Sequence, residues 1–363
     1  MNKAFKFRIY PNTKQQILIA KTFGCVRFVY NRMLSDRIEH YKETGKSLNN
    51  TPAQYKKEFE WLKEVDSLAL ANAQLNLNRA YTNFFHNKTA GFPKFKSKKS
   101  NHRSYTTNCV NGNIKLENGK IVLPKLGKIK LKQHRRVPDN YKLKSVTVSQ
   151  TPRGKYYASI LYEYDFHIEA VEPCRFLGLD YSMKELFVSS DGASAQYPGY
   201  YRQALEKLKK EQKKLSKCQK GSKNRNKQRI KVSKLHEKVA NQRKDFLHKQ
   251  SRQITNAVDV VCIEDLDMKE LSQTHNYGKS VSDNGYGLLV SMIEYKLREQ
   301  GKQLVKIDKW FPSSKMCSKC GEVKDSLSLS DRVYHCKACG ETLDRDYNAS
   351  INIREEGKRL VLG

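Results

Sequence analysis

The sequence predicts a multidomain α+β protein: a small β-barrel with a helical insertion, then an α/β unit that contains a cysteine-rich segment. Three observations support this organisation. Short alternating strands fill residues 114–164, apolar strands ending on carboxylates follow residue 171, and two CxxC pairs lie near the end of the chain. With 363 residues the chain is long enough for two or three domains with separate cores.

The chain is strongly basic. Lys and Arg number 69 against 37 Asp and Glu, a formal net charge of +32, and this balance predicts a polyanionic partner, above all nucleic acid. A basic protein of the membrane surface is the alternative. It is disfavoured because no apolar span of membrane length and no signal peptide are found, and residues 1–10 alternate charged and apolar side chains.

The cysteines indicate a reducing compartment. Four of the nine form the CxxC pairs, and the other five are scattered singly, which is not a disulfide framework. We therefore expect a soluble, intracellular protein.

The first part of the chain predicts a strand followed by helices. Phe5, Phe7 and Ile9 alternate with charged or polar residues, and Pro11 ends the strand. Thr51, Pro52 and Gln54 form an N-cap, first-turn proline and capping box. The predicted helices are Thr13 to about Tyr41, Pro52 to Trp61 and Ser67 to Phe85.

A basic segment follows these helices at residues 91–105. Its side chains alternate cations with aromatic rings, as a groove for phosphates and bases requires. A solvated basic loop is the alternative, and the charge of the whole chain favours the groove. The candidate nucleic-acid contacts are Lys94, Lys96, Lys98, Lys99, Arg103 and Tyr105.

From Ile114 to Tyr164 the apolar period is two, and Asn118 with Gly119 forms a hairpin turn. Antiparallel strands at this spacing predict a small barrel, which the strand at residues 1–10 would complete.

The second unit begins near Val171 and alternates strands with helices. Two apolar strands end on carboxylates, at Asp180 and Glu264. A further strand is expected at Gln303–Ile307. The pattern also predicts basic helices at 200–216 and 227–250, a helix at 251–258, a loop at 275–287 and a helix at 288–300. This order predicts a mixed sheet with helices on its faces.

The two CxxC pairs predict one structural zinc ion, bound by Cys317, Cys320, Cys336 and Cys339. Gly321 and Gly340 follow the pairs and allow each turn to reverse beneath the metal. Two disulfides or four unrelated thiols are the alternatives. Four thiolates leave no open coordination site, so this metal would hold structure and perform no chemistry.

Three acids supply the candidate chemistry. Asp180 and Glu264 end strands and Asp346 begins a helix, so all three can converge at one sheet edge and hold two Mg²⁺ ions for phosphodiester hydrolysis. Each acid alone has an ordinary structural interpretation. Asp180 could form a turn, and Asp346 could be a helix N-cap. Glu264 could be an exposed charge at a strand end, with Asp265 as a competing choice of ligand. Together, in so basic a chain, they favour a nuclease.

These residues resemble a known family. The segments GLDYSMKELFV, CIEDL, PSSKMCSKCG and CKACGETLDRDYNASINI are similar to the three RuvC motifs and zinc finger of the TnpB (OrfB) proteins of bacterial transposons. KFRIYPN and GFPKFKSKK are similar to that family as well, so the resemblance spans nearly the whole chain. The departures from the pattern are Tyr181, Ser182 and Leu343.

The resemblance implies an RNA-guided DNA endonuclease related to type V CRISPR effectors. Its expected partners are a guide RNA from the transposon end and double-stranded target DNA flanked by a short motif, with no membrane and no small-molecule substrate. Asp180, Glu264 and Asp346 would be the magnesium ligands; Asp346 is preferred to Asp344 because it lies two residues before Asn348. A non-cutting repressor, a transposase and an unguided RuvC nuclease are the alternatives.

The implied domains are a wedge β-barrel at 1–10 and 104–170 and a helical recognition domain inserted at 11–103. A RuvC nuclease domain of RNase H-like α/β fold would cover 171–309 and 343–363, with a four-cysteine zinc ribbon inserted at 310–342. We expect a monomer in its nucleic-acid complex, in the bacterial cytoplasm and associated with the nucleoid.

Overall fold

A computed structural model of the chain describes residues 1–87, 89–99, 103–165, 167–273, 277–328 and 331–363. Contacts divide the chain into two compact units, Met1–Phe166 and His167–Gly363. Each unit has its own hydrophobic core.

A curled sheet of seven antiparallel strands forms the first unit's framework, in the order β2-β6-β7-β1-β5-β4-β3. The strand predicted at residues 1–10 is confirmed as β1 and lies in the middle, where it pairs with β5 and β7. Phe7 and Ile9 are fully buried, as the alternation predicts. The strands are β1 (Asn2–Tyr10), β2 (Arg103–Asn108), β3 (Lys115–Glu117), β4 (Lys120–Leu123), β5 (Gly127–Lys132), β6 (Lys142–Gln150) and β7 (Tyr156–Glu163).

Three helices of the first unit pack with this sheet into one core. They are α1 (Thr13–Thr44), α2 (Pro52–Glu58) and α3 (Ser67–His86). The capping box of Thr51 and Gln54 is present. However, α2 ends before the predicted Trp61, because Phe59 leaves helical geometry and packs its ring 4.8 Å from that of Phe28. A 3-10 turn, Glu60–Glu64, follows.

A mixed four-stranded sheet forms the centre of the second unit, in the order β11-β10-β8-β9. Strands β8 (Phe176–Ser182), β10 (Val260–Glu264) and β11 (Gln303–Ile307) are parallel, and β9 (Leu186–Ser189) is antiparallel to β8. The predicted mixed sheet with helices is therefore confirmed. A two-stranded ribbon, β12 (Val333–His335) and β13 (Thr342–Asp344), belongs to the cysteine-rich segment.

The helices of the second unit differ from the prediction in several places: the second basic helix begins at Lys223 and not at residue 227, and a short helix, Met268–Gln273, was not predicted. The helices predicted at 227–250 and 251–258 are one continuous helix, because neither Gly nor Pro interrupts the sequence between them. The described part of the predicted loop at 275–287 contains helix α7 (Gly278–Asn284) and the start of helix α8 (Tyr286–Arg298), separated at Gly285 with φ 70°. His275 lies outside the described residues. The helices are α4 (Tyr200–Lys217), α5 (Lys223–Ala257), α6 (Met268–Gln273), α7 (Gly278–Asn284), α8 (Tyr286–Arg298) and α9 (Arg345–Leu362).

Within the described ranges, no helix is both long enough and apolar enough to cross a membrane.

Candidate active site and cysteine cluster

The parallel pairing of β8 and β10 brings two of the candidate acids side by side. Leu179 of β8 is in register with Ile263 of β10, and Asp180 and Glu264 are the next residues of their strands. In neighbouring strands, side chains at equivalent register positions point to the same face of the sheet. Both carboxylates therefore lie on one face of the sheet and at the same height along the strands. Adjacent strands lie about 4.8 Å apart, which makes these acids direct neighbours.

Helix α9 covers the face of the sheet that carries both acids. Gly178 of β8 lies against the backbone of Ser350 and Arg354, so closely that a Cβ atom at position 178 would overlap the Ser350 carbonyl oxygen. Gly357 lies equally close to the side chain of Cys262 in β10. Because both strands contact α9 through a glycine, the helix lies directly on the strands that carry the two acids. Glu264 ends β10 as predicted, but β8 continues past Asp180 to Ser182, where it still pairs with β9.

The third acid, Asp346, lies in the first turn of this helix. Asp344 is the N-cap, since its carboxylate accepts hydrogen bonds from the backbone N–H groups of Asp346 and Tyr347, both at 3.0 Å. The capping role considered for Asp346 therefore belongs to Asp344, and the Asp346 carboxylate is not used as a cap.

Asp180 is the most buried of the three acids, with 9% of its surface exposed. Burial raises the pKa of its carboxyl well above the ordinary value, and the negative charges of Glu264 and Asp346 raise it further, while Arg345 opposes them. The charges of Glu264 and Asp346 therefore act on Asp180, as expected for acids of one site.

Glu264 accepts a hydrogen bond of 2.5 Å from the hydroxyl of Ser313, a residue that is itself buried. Burial raises the pKa of Glu264, and the hydrogen bond from Ser313 opposes this by favouring the charged form. Asp265, the competing candidate, has a side chain that is 61% exposed and forms an ion pair with Lys306 at 2.8 Å. Its position favours Glu264 as the acid of the site.

Asp346 has two arginines beside it. Its carboxylate accepts hydrogen bonds from Arg345 at 3.0 and 3.1 Å, and the Arg332 guanidinium lies 3.9 Å away. These cations offset part of the negative charge that gathers at this edge of the sheet.

Tyr286 adds an unpaired polar group near the acids. Its side chain is buried, and its hydroxyl forms no hydrogen bond within the part of the chain that the structure describes. Its ring centroid lies 4.7 Å from that of Tyr181, the residue after Asp180. Burial and then the charges of Asp180 and Glu264 raise the pKa of the Tyr286 phenol, so this hydroxyl remains protonated and able to donate.

The four cysteines of the CxxC pairs come together as predicted. Their sulfur atoms all lie within 4.8 Å of one another, with 3.7 Å between Cys317 and Cys339 and 3.6 Å between Cys320 and Cys336. Four sulfurs bound tetrahedrally to zinc lie about 3.8 Å apart. The spacing therefore fits a metal ion, and the four thiols are free, not paired in disulfides.

Both turns of the cluster have the same backbone structure. The N–H of Gly321 donates to the carbonyl of Cys317 at 2.9 Å, and that of Gly340 to the carbonyl of Cys336 at 3.0 Å. Both glycines have positive φ, 80° and 73°. A hydrogen bond from the backbone N–H of Cys339 contributes most to lowering the pKa of Cys336 to about 7, whereas burial and hydrogen bonds among the thiols raise the pKa of Cys320 and Cys339.

Two asparagines of α9 join the segment before the cysteines to the helix of Asp346. Asn352 donates to the carbonyl oxygens of Ser313 and Met316, and Asn348 also donates to the latter, all at 2.7 Å. Asn348 accepts in turn from the N–H of Ser318 at 3.0 Å. Asn348 served only as the marker for Asp346, and neither asparagine was predicted to make these contacts, although two amides four residues apart on one helix are a recognisable signal.

One candidate nucleic-acid contact is wrong. Tyr105 is only 4% exposed, because it lies on the inward face of β2 opposite Val148 and packs 5.9 Å from the ring of Phe23. No face of this ring is free to stack on a base. The predicted cations are exposed: Lys94, Lys96, Lys98, Lys99 and Arg103.

Asn31 of α1 holds the basic segment in place. It makes two hydrogen bonds with the backbone of Lys96, at 2.8 and 3.0 Å. The Lys96 ammonium lies 3.9 Å from the ring centroid of Tyr30, and Phe92 and Phe95 are exposed. The described part of this segment therefore exposes both cations and aromatic side chains.

Three family models match this chain: a probable transposase at residues 159–275, a helix-turn-helix domain at residues 1–46 and a Cas12f1-like TNB domain at residues 286–353. A candidate RNA-guided DNA endonuclease of Streptomyces pristinaespiralis is 35% identical over 98% of this chain and 90% of that protein. The chain belongs to the TnpB (OrfB) family. A second relative, the candidate RNA-guided DNA endonuclease InsQ of Escherichia coli K12, is 30% identical over 99% of this chain and 93% of that protein.

The fold of this TnpB family member is similar to that of a type V effector. The cryo-EM structure of the Cas12f1–sgRNA–target DNA complex matches with a TM-score of 0.62 over 98% of both chains, at 14% identity. Residues 1–46, which match the helix-turn-helix model, form β1 and the single long helix α1. The TNB-like match, by contrast, contains the cysteine cluster and the first turns of α9.

Proposed function

We propose that this protein is an RNA-guided DNA endonuclease in which Asp180, Glu264 and Asp346 hold the catalytic metal ions. The observation that carries the proposal is the convergence of these three carboxylates at one sheet edge, beneath a helix fixed to both strands. Relatives that match nearly the whole chain bear the name of RNA-guided DNA endonucleases, which supports the same activity here.

The chemistry of the donor set favours magnesium. Carboxylate oxygens are the ligands that Mg²⁺ prefers. Burial and then the charges of Glu264 and Asp346 raise the pKa of Asp180, and a bound divalent cation would stabilise its ionised form against both. Two bound Mg²⁺ ions would supply an activated water and stabilisation of the leaving oxygen in phosphodiester hydrolysis. The protein's own contribution is to hold three carboxylates from β8, β10 and α9 in a half-buried site.

The four cysteines hold one structural Zn²⁺ ion in this proposal. Four sulfur ligands and separations close to those of a tetrahedral zinc site support zinc over harder cations. With all four positions taken by protein, this ion takes no part in cutting.

The partners are a guide RNA and double-stranded target DNA. In the first unit, the sheet would serve as the wedge domain and the helices at 11–103 as the recognition domain, with contacts from Lys94, Lys96, Lys98, Lys99 and Arg103. In the second unit, residues 171–309 and 343–363 would form the RuvC domain and 310–342 the zinc finger. The net charge of +32 supports binding to polyanions and an association with the nucleoid.

The first experiment purifies the protein after expression with its native flanking DNA and sequences the RNA that remains bound at high salt. One defined RNA whose 3′ end continues into neighbouring DNA is the expected result, and it supplies the target for a cleavage assay. No RNA, or a random sample of cellular RNA, would contradict guided targeting and leave an unguided nuclease.

The second experiment tests the acids in that assay. Asp180→Ala and Glu264→Ala each lower cleavage by roughly 1,000-fold or more, because a metal ligand is lost, while RNA and target binding in mobility-shift assays stay near wild type. Asp265→Ala is the matched control and cuts normally, since that acid is exposed and paired with Lys306. Cleavage by Glu264→Ala at the wild-type rate would show that the assignment is wrong. If the unmutated protein itself bound the target without cutting it, the protein would be a repressor.

A further inference from the structure

Ser313 is in direct contact with one of the proposed catalytic acids. Its hydroxyl donates to Glu264 at 2.5 Å, and its surface is only 3% exposed, so water does not compete for this hydrogen bond. Ser313 is not part of the nuclease sheet. It lies after β11, in the segment that leads to Cys317.

The same segment is tied to α9 by side-chain amides. Asn352, 2% exposed, donates to the backbone carbonyl of Ser313 and to that of Met316. Asn348, which is fully buried, donates to the Met316 carbonyl and accepts from the N–H of Ser318. Residues four apart lie on one face of a helix, so the two amides form a single clamp around residues 313–318.

This arrangement joins two acids that come from different elements. Asp346 and the clamp lie on α9, the clamp holds Ser313, and Ser313 holds Glu264 on β10. Cys317 lies inside the clamped segment, and the N–H of Ser318, which follows it, is one of the clamped groups. The cysteine cluster, the clamp and Glu264 therefore form one continuous set of contacts.

We propose that Ser313 is a positioning residue for Glu264 and that the Asn348–Asn352 clamp makes its position depend on the cysteine cluster. The zinc-bearing segment thereby sets the affinity of the active site for divalent cations. This inference rests on the proposed function, since it requires Glu264 to be a metal ligand. Ser313 touches neither metal nor substrate in this scheme and acts through the orientation of the Glu264 carboxylate.

The first test measures Mn²⁺ binding to the purified protein by electron paramagnetic resonance of the free ion, with zinc content checked by atomic emission. Ser313→Ala raises the Kd for Mn²⁺ roughly 10-fold, as loss of a hydrogen bond to a metal ligand typically does. Zinc content remains at the wild-type value, and Tm falls only by the few degrees that the loss of one buried hydrogen bond causes. Ser314→Ala is the matched control: Ser314 is the adjacent serine and is partly exposed, so its variant binds Mn²⁺ normally.

The cleavage assay gives an independent readout. In Ser313→Ala the Mg²⁺ concentration for half-maximal cutting rises by the same factor, and the rate at saturating Mg²⁺ recovers. A lower rate at saturation with an unchanged Mg²⁺ requirement would overturn the positioning role. Asp180→Ala, which removes a ligand, abolishes high-affinity Mn²⁺ binding, so the signal of the free ion rises. Unchanged Mn²⁺ binding in Ser313→Ala alone overturns this inference, whereas unchanged binding in Asp180→Ala overturns the proposed function.

The second test examines the clamp with a double-mutant cycle. Asn352→Ala also weakens Mn²⁺ binding, because it releases the carbonyl of Ser313 from α9. The double variant Ser313→Ala/Asn352→Ala binds Mn²⁺ little worse than Ser313→Ala, because both changes act through one hydrogen bond. If the two fold-changes simply multiply, Asn352 acts by another route and the proposed connection to the cysteine cluster is overturned.

Discussion

The two candidate metal sites of the second unit are built by different means. The cysteine cluster is complete in the structure, with four sulfur atoms within 4.8 Å of one another. The carboxylates meet at one edge of the sheet, yet the cysteines are the one group among the described residues in which three or more ligand side chains are close enough to share an ion. The four cysteine sulfurs already lie close enough together to bind one ion, whereas the three carboxylates lie near one another but further apart than that.

The difference follows from where the ligands lie and from their charge. Each CxxC pair is shaped by a local turn with its own glycine, so the two sulfur atoms of a pair are brought together by residues close in sequence. The acids come from two strands and a helix that only tertiary packing unites, and ionised carboxylates repel one another. Local turns can preassemble a site, whereas a tertiary site with like charges requires its cation to draw it together.

Removing a cysteine breaks the preassembled site and has the largest expected effect on stability. Cys317→Ser removes one of four metal ligands, and because structural zinc contributes folding free energy directly, unfolding becomes easier by on the order of 5 kcal/mol. Zinc content by atomic emission and Tm by calorimetry check this. Full zinc content with an unchanged Tm would remove Cys317 from the ligand set.

Disturbing the tertiary packing breaks the other site. Gly178→Ala places a methyl group against the backbone of Ser350, so α9 must shift, at a cost of about 3 kcal/mol or more, and cleavage falls with it. Urea denaturation and the cleavage assay measure both effects. Gly24→Ala is the control, because a Cβ atom there meets nothing within 4 Å and alanine favours the helix. Equal stability of the two variants would show that α9 is not held closely at Gly178.

Neutralising Asp180 tests whether burial and repulsion of its negative charge destabilise the fold. A carboxyl whose pKa is raised by folding contributes stability below its unfolded pKa of about 3.9 and loses it as the pH rises through the folded value. Asp180→Asn therefore has a higher Tm than wild type at neutral pH without added divalent cations, and the gain disappears near pH 4. Added Mg²⁺ raises the Tm of wild type more than that of the variant. A gain independent of pH would contradict the electrostatic cause.

The smallest effect concerns the unpaired hydroxyl near the acids. Tyr286→Phe removes a buried group without a partner in the described residues, so stability without added divalent cations rises by about 1 kcal/mol. Tyr181→Phe is the matched control. Its free energy of unfolding falls by about 1 kcal/mol, because the Tyr181 hydroxyl accepts a hydrogen bond from Asn284 at 3.2 Å. Chemical denaturation distinguishes the signs. A loss in Tyr286→Phe equal to that of the control would mean that this hydroxyl has a partner.

Much of the framework could be predicted from local patterns. The strand at residues 1–10, the capping box at Thr51 and the strand Gln303–Ile307 were predicted from periodicity and caps and are present. The convergence of the acids was predicted because parallel strands deliver their carboxyl ends to one edge of a sheet; Glu264 does end β10, whereas Asp180 lies two residues before the end of β8. Their role as magnesium ligands stays a prediction.

What sequence alone could not supply are the contacts that depend on tertiary structure. Tyr105 was assigned to a groove because aromatic rings among lysines look alike whether they face solvent or a core; its strand turns it inward. Ser313, Asn352 and Tyr286 were missed because their partners lie far away in sequence or, for Tyr286, do not exist within the described chain. A polar residue before a CxxC pair carries no local sign that it touches an acid on a distant strand.

Helix α9 also limits how this protein can be made smaller. Between Arg345 and Gly357 it carries the third acid, both clamp amides and the glycine that fits against Cys262. The tip of the α4–α5 hairpin at residues 218–222, by contrast, is exposed for most of its length. A shortened version of this protein can therefore lose residues from this hairpin tip, whereas residues 345–357 must be kept together and unchanged in length.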